Sequence, residues 1–142
     1  MRYLDRLQPL ALLMMRLALG VIMVAHGYQK LFRHMHDFVH VVGGLGIPPW
    51  LAYVAMLTEF VGGLLILAGL FTRCAAFAIA IDMIVAIWKV HWHNGLMGSV
   101  DRPGYEFPLA AGALAFALIF FGAGAIALDH VLRGGGSMSS KR

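Results

Sequence analysis

Four long apolar runs, separated by short polar stretches, set the frame of this chain. They cover residues 10–31, 50–70, 75–92 and 107–128. Each is close to the roughly 20 residues a helix needs to cross a bilayer. Pro48-Pro49 gives the second run a helix start signal. Phe71-Thr72-Arg73-Cys74 is a tight turn between the second and third runs. Residues 32–47 read as a polar, histidine-bearing loop, and residues 93–106 as a loop rich in Gly, Asp and Pro. The pattern predicts an all-α fold, an integral membrane four-helix bundle. One transmembrane domain spans residues 1–133, and 134–142 has the Gly/Ser composition of a flexible tail.

Polar residues inside the runs are not scattered. At 100° per residue, Arg16, Gly20, Met23, Gly27 and Lys30 share one stripe of the first run, with His26 on its edge. Glu59 shares a face with Met56, Gly62, Gly63 and Ile66. Ala75, Ala78, Asp82, Ala86, Lys89 and His93 form a stripe on the third run. Glu106, Ala110, Ala113, Ala117 and Gly124 line up on the fourth. An Arg or Lys at the centre of a membrane helix costs roughly 2.5–3.5 kcal/mol on insertion scales, so such stripes face protein or a polar cavity. Small residues beside them let neighbouring helices approach closely. At 1.5 Å per residue, Arg16 and Asp82 lie about 9 and 12 Å from the inner edge, and Glu59 and His26 about 13 and 8 Å from the outer edge.

Composition excludes an ordinary soluble domain. The chain has 142 residues, 61% hydrophobic and only 13% charged, with a mean hydropathy of +0.80. Soluble domains are about 45–50% apolar and about 25% charged. The net charge of +4 sits mostly near segment ends, which points to membrane topology and not to nucleic acid. Arg2, Arg6, Arg73, Arg133, Lys141 and Arg142 collect on one side; Lys30, Arg33 and Arg102 collect on the other, with Lys89 near its edge. That bias predicts a multi-pass protein of a bacterial-type cytoplasmic (inner) membrane, both termini cytoplasmic. Arg16 interrupts the first apolar run and no small-x-small cleavage site follows, so 10–31 reads as a retained span. The single cysteine, Cys74, rules out an intrachain disulfide, a CxxC relay and a CxxCH haem attachment.

The ordered set of motifs resembles the DoxX family of small four-helix membrane proteins. It begins with Arg16-Leu-x-Leu-Gly20, His26-Gly-x-Gln-Lys30-Leu and Gly44-Leu-Gly-Ile-Pro48. It continues with Glu59-Phe-Val-Gly62-Gly63-Leu-Leu-x-Leu-x-Gly69-Leu-x-Thr72-Arg73, then Ala86, His91 and Gly104-Tyr-Glu106-Phe-Pro108, and ends at Gly122-x-Gly124-x-x-x-Leu-Asp129. Near the second glycine of that last piece the family often has Pro and Ser, which this chain lacks. The resemblance implies an inner-membrane protein tied to redox chemistry. One branch of the family resembles DoxD, the membrane subunit of thiosulfate:quinone oxidoreductase, and other members associate with oxidases or antioxidant enzymes.

Two groups of residues are candidates for chemistry. Arg16, Glu59 and Asp82 are expected to form a buried charge network. It either holds the bundle in register or, with two acids against one arginine, carries an excess proton. The outer group is His26, Gln29, Lys30, Lys89, His91, His93 and Glu106. It is either interfacial polarity or a quinone headgroup site, with His26 as hydrogen-bond donor and Glu59 as proton carrier beneath it. Met23, Met56, Tyr28, Trp88 and Trp92 would wall such a ring. Haem ligated by His26 and His93 fits less well, because both rims carry Lys and Trp. Copper on His34-Met-His36, His40 and His91-Trp-His93 rests on pairs common by chance. Two readings follow: a quinone-binding redox subunit working with a partner electron carrier, or a cofactor-free structural or assembly subunit of a larger membrane complex.

Overall fold

The computed structural model describes residues 7–134, and within them the fold is all-α. Helix α1 runs Gln8–Tyr28 and continues through a wide π-turn, Gln29–Arg33. Helix α2 is Met35–Gly44, α3 Trp50–Ala68 and α4 Thr72–Val85. Helix α4 is extended by a second π-segment, Ala86–His91, and a 3-10 turn, Trp92–Asn94. Helix α5 is Glu106–Phe121 and α6 is Leu128–Gly134. Three of these are long and apolar enough to cross a membrane: Gln8–Arg33, Trp50–Ala68 and Thr72–Asn94. Helix α5 is apolar but has 16 residues.

These boundaries correct the sequence reading in three places. Residues 32–47 are not a plain loop, because α2 occupies most of them. The third span starts at Thr72, at the turn itself. The fourth ends at Phe121, where Gly122, at φ 73°, turns the chain. The tail expected from 134 onward lies outside the described residues except for Gly134, which closes α6.

The bundle closes in the order α1, α3, α4, α5, with the closest packing between α1 and α3 and between α4 and α5. Glycine makes the first seam. A Cβ on Gly63 would lie 2.8 Å from the Val24 backbone nitrogen, and one on Gly27 would strike the Phe60 backbone. Backbones this close gain dispersion contacts along their length, which is what holds helices together where lipid competes for apolar faces. The second seam is Ala76, Ile79 and Met83 against Ala111, Ala115 and Leu118. The buried face of α5 is thus Pro108, Ala111, Ala115 and Leu118. The expected alignment of Ala110, Ala113 and Ala117 is not its packing face. An almost uniformly apolar helix has no polar residue to mark which side turns inward.

Arg16 closes the end of the bundle that carries the α3–α4 turn. It is 2% exposed. Its Nε donates to the Ile66 carbonyl at 3.0 Å, Nη2 to Leu67 at 2.9 Å, and Nη1 to Ala123 and Ile126 at 3.0 and 2.5 Å. These carbonyls lie at the end of α3 and in the segment after α5, where helix termination leaves acceptors free. Beside it, the Asp129 carboxylate accepts from the backbone N–H of Phe71 at 2.9 Å and of Thr72 at 3.1 Å. The Asp129 N–H donates to the Gly69 carbonyl at 2.9 Å. Phe71 sits at φ 48°, a strained position for a side-chain-bearing residue, and this clasp holds it there.

Candidate functional site

At the other end, α2 folds over α3 and α4 and roofs a cavity of about 430 Å³. Phe38, Val41, Val42 and Leu45 form the roof, spaced so that one face of α2 turns down onto it. Leu51, Val54 and Ala55 of α3 form one wall, and Ala78, Ile81 and Val85 of α4 the other. Val54, Ile81 and Val85 are also exposed on the bundle surface. The cavity is therefore a groove open sideways, toward the level of the lipid tails. Both π-segments adjoin it: Lys30 comes from the first, and Ala86, Val90 and His91 from the second. Such wide turns are frequent at functional sites because they re-aim side chains without ending a helix.

The polar groups sit at the base. Lys30 Nζ donates to Glu59 Oε1 at 2.5 Å, and the ammonium lies 4.7 Å from the Phe38 ring centre. Glu59 is 3% exposed. Its second oxygen, Oε2, is buried with no donor among the described residues. Asp82 faces Glu59 closely enough for a carboxyl–carboxyl hydrogen bond, which needs one proton between them, since two carboxylates only accept. Thr58 and His91 also line the groove. The His91 Nδ1 and the Asn94 amide both contact the Pro103 carbonyl, at 2.9 and 3.0 Å, tying the groove mouth to the loop before α5.

The structure divides the expected site residues. Lys30, Glu59 and Asp82 come together. Arg16 does not join them, which corrects the expected Arg16–Glu59–Asp82 network: its guanidinium is taken up by four carbonyls at the far end. Lys30, one turn beyond Gly27 on the same stripe of α1, takes its place opposite Glu59. His26 is half-buried on the α5 side, its ring stacked on Phe107 at 4.6 Å and 12°. It feels the charges of Glu59 and Lys30 but does not line the groove. Gln29, His93 and Glu106 are exposed, and Lys89 lies 4.4 Å over its neighbour Trp88. His93 lines a separate cleft with Trp88 and Trp92. Of the residues expected to line an outer cavity, Lys30 and Glu59 line this groove, whereas His26, Lys89, His93 and Glu106 do not. On α4, the stripe through Ala78, Asp82 and Ala86 faces that groove, while Ala76, Ile79 and Met83 pack the core.

Comparison with known proteins places the sequence in a family. The DoxX family profile matches residues 11–92. The chain belongs to the DoxX family. An uncharacterized protein of Haemophilus influenzae is 32% identical over 138 residues, covering 92% of this chain and 96% of its own. A Bacillus subtilis protein named "Putative oxidoreductase CatD" is 32% identical over 117 residues, covering 82% of this chain and 83% of its own. No solved structure matches. The matched region of this DoxX protein holds Lys30, Glu59 and Asp82 and all of α2. The roof of its site went unread in the sequence, although Phe38, Val41, Val42 and Leu45 repeat at i, i+3, i+4 and i+7, a helix signal inside a stretch that its histidines make look like a loop.

Proposed function

We propose that this DoxX protein is a redox-linked subunit of the bacterial cytoplasmic membrane whose groove takes the ring of a quinone-type carrier. The observation that carries this reading is the groove itself: apolar walls, a lateral opening at lipid level, and Lys30, Glu59 and Asp82 at its base. Its volume falls in the range of small-molecule sites, about 300–1,000 Å³. A lipid-soluble ring enters from the side with its tail left among the acyl chains. Lys30 offers N–H donors to a ring oxygen, and the two carboxyls take or give a proton. His26, close enough to feel both charges, serves as the proton group behind Glu59. Acids and bases move protons and not electrons, so a partner redox protein supplies or removes the electrons. The oxidoreductase name of the B. subtilis relative is in keeping with that role.

The test is equilibrium binding of 2-decyl-1,4-benzoquinone to the purified full chain in lipid nanodiscs. Saturable binding is expected, lost in Ala78→Trp, which fills the groove, and kept in Phe116→Trp, which changes the exposed face of α5. Binding that never saturates, or that Ala78→Trp leaves untouched, rejects the quinone groove. That outcome leaves the cofactor-free assembly subunit.

A further inference from the structure

A second cavity, of about 180 Å³, lies at the opposite end of the bundle, between the α3–α4 turn and the segment that joins α5 to α6. Arg73 of α4 and His130 of α6 both line it. Both are exposed, and neither side chain has a hydrogen bond or ion pair among the described residues. The Arg73 guanidinium lies along Gly122, where a Cβ would stand 3.2 Å from its Nε. Gly122 sits at φ 73°, which glycine adopts without strain, so the arginine keeps its place over the end of α5. In the first turn of α4 the N–H groups of Arg73 and Cys74 have no acceptor within the helix. The acid in the cavity wall, Asp129, is engaged: its carboxylate accepts from the N–H groups of Phe71 and Thr72 and lies within electrostatic reach of Arg16. The remaining titratable group is the exposed Cys74 thiol. What the cavity offers a ligand is N–H donors and positive charge.

A phosphate answers that pattern, because its oxygens accept two at a time from a planar guanidinium and also from helix N–H groups. The rim of the cavity decides where the phosphate comes from. Phe71 and Phe121 line the same cavity and are 65% and 69% exposed. Phenyl rings this exposed at the end of a membrane span have acyl chains as neighbours. A free phosphate has no use for them, whereas a phospholipid lays its chains across both while its headgroup enters the cavity. Basic pockets between membrane helices on the cytoplasmic side hold anionic headgroups in this way, and the Lys and Arg asymmetry predicts that this end is cytoplasmic. A choline headgroup fits less well, since its own cation would meet Arg73 and His130. We infer that the cavity binds an anionic phospholipid, its phosphate held by Arg73 and His130. One lipid then touches the α3–α4 turn and the α5–α6 segment together, and braces from outside the end that Arg16 closes from inside. The site is separate from the groove and stands whether or not the groove takes a quinone.

Native mass spectrometry of the purified full chain, released from detergent, tests this with three ligands. They are dioleoyl phosphatidylglycerol, dioleoyl phosphatidylcholine, and glycerophosphoglycerol, which keeps the anionic headgroup and loses the acyl chains. Phosphatidylglycerol should give one saturable adduct, about tenfold tighter than phosphatidylcholine, with glycerophosphoglycerol weaker than either lipid. Arg73→Gln should weaken the phosphatidylglycerol adduct by about fivefold, and His130→Gln should weaken it too. Both changes are at exposed positions and should leave phosphatidylcholine binding as it was, which also reports that the variants are folded. Arg102→Gln, exposed in the loop at the other end, should change neither. Equal affinity for the two lipids overturns the site. So does wild-type binding of phosphatidylglycerol by both Arg73→Gln and His130→Gln. Glycerophosphoglycerol binding as tightly as phosphatidylglycerol overturns the lipid assignment, since the acyl chains are then idle and the cavity serves a soluble phosphate.

Discussion

Lys30 and Glu59 meet across the seam between α1 and α3, 2.5 Å apart, with the carboxylate almost fully buried and the ammonium about a quarter exposed. The pair lies within the helical span 8–33 on one side and 50–68 on the other. Glu59 is buried, so the ammonium is what makes its charge tolerable there. Together they fix the register of two helices and set the floor of the groove.

Removing one partner should therefore hurt more than removing both. Lys30→Met strands Glu59 and is expected to lower stability by about 3 kcal/mol, the lower end of the range for breaking a buried pair, because the ammonium is partly wet. Lys30→Met with Glu59→Met should be more stable than Lys30→Met alone. Thermal unfolding of the purified variants in one detergent reads this. Strictly additive losses would show that the two groups are not coupled.

Arg16 makes a different demand. Its guanidinium reaches carbonyls from two chain segments, Ile66 and Leu67 on one side and Ala123 and Ile126 on the other. A lysine keeps the charge but concentrates its donors at a single point, so it cannot span both. Arg16→Lys is expected to lose nearly as much folded yield as Arg16→Met, each at a cost of at least about 3 kcal/mol. Full rescue by lysine would mean that charge alone holds this end together.

Much of the fold was legible, and the limits have physical causes. The stripe Arg16–Gly20–Met23–Gly27 is buried as the helical wheel required, and so is the face of Met56, Glu59, Gly62 and Ile66. Polar or glycine residues marked those faces. Helix α5 had no such marker, and its inner face was misassigned. Shared depth suggested Arg16 as the partner of the acids, but a membrane arginine can be satisfied by backbone carbonyls at helix ends, which no sequence pattern displays. The groove itself depends on α2 folding back over α3 and α4, a tertiary choice that spacing along the chain does not encode.

Close packing of α1 on α3 gives a graded test. A methyl at Gly27 would collide with the Phe60 backbone, which cannot move aside as a flexible side chain can. Gly27→Ala should cost about 1–3 kcal/mol, the usual range for overpacking. Gly44→Ala, where an added methyl meets nothing within 4 Å, is the matched control and should be close to neutral. Similar unfolding temperatures for the two variants would mean that the seam yields without penalty.

Orientation in the membrane decides which side the groove roof serves. The Lys and Arg asymmetry predicts the α3–α4 turn on the cytoplasmic side and the loop before α5 outside. The two ends carry suitable reporters. Cys74 is the native thiol of the α3–α4 end and is exposed, and Ser99, also exposed, lies in the loop at the other end. Ser99→Cys in a Cys74→Ser background should react with a membrane-impermeant maleimide in intact cells. Wild-type Cys74 should react only after the membrane is opened. If instead Cys74 labels in intact cells and the cysteine at 99 is protected, α2 and the Lys30–Glu59–Asp82 base lie toward the cytoplasm. The redox partner would then have to dock from inside, and the proton exchanged at Glu59 would come from the cytoplasmic phase. The labelling pattern thus fixes the sidedness of any chemistry in the groove before its ligand is known.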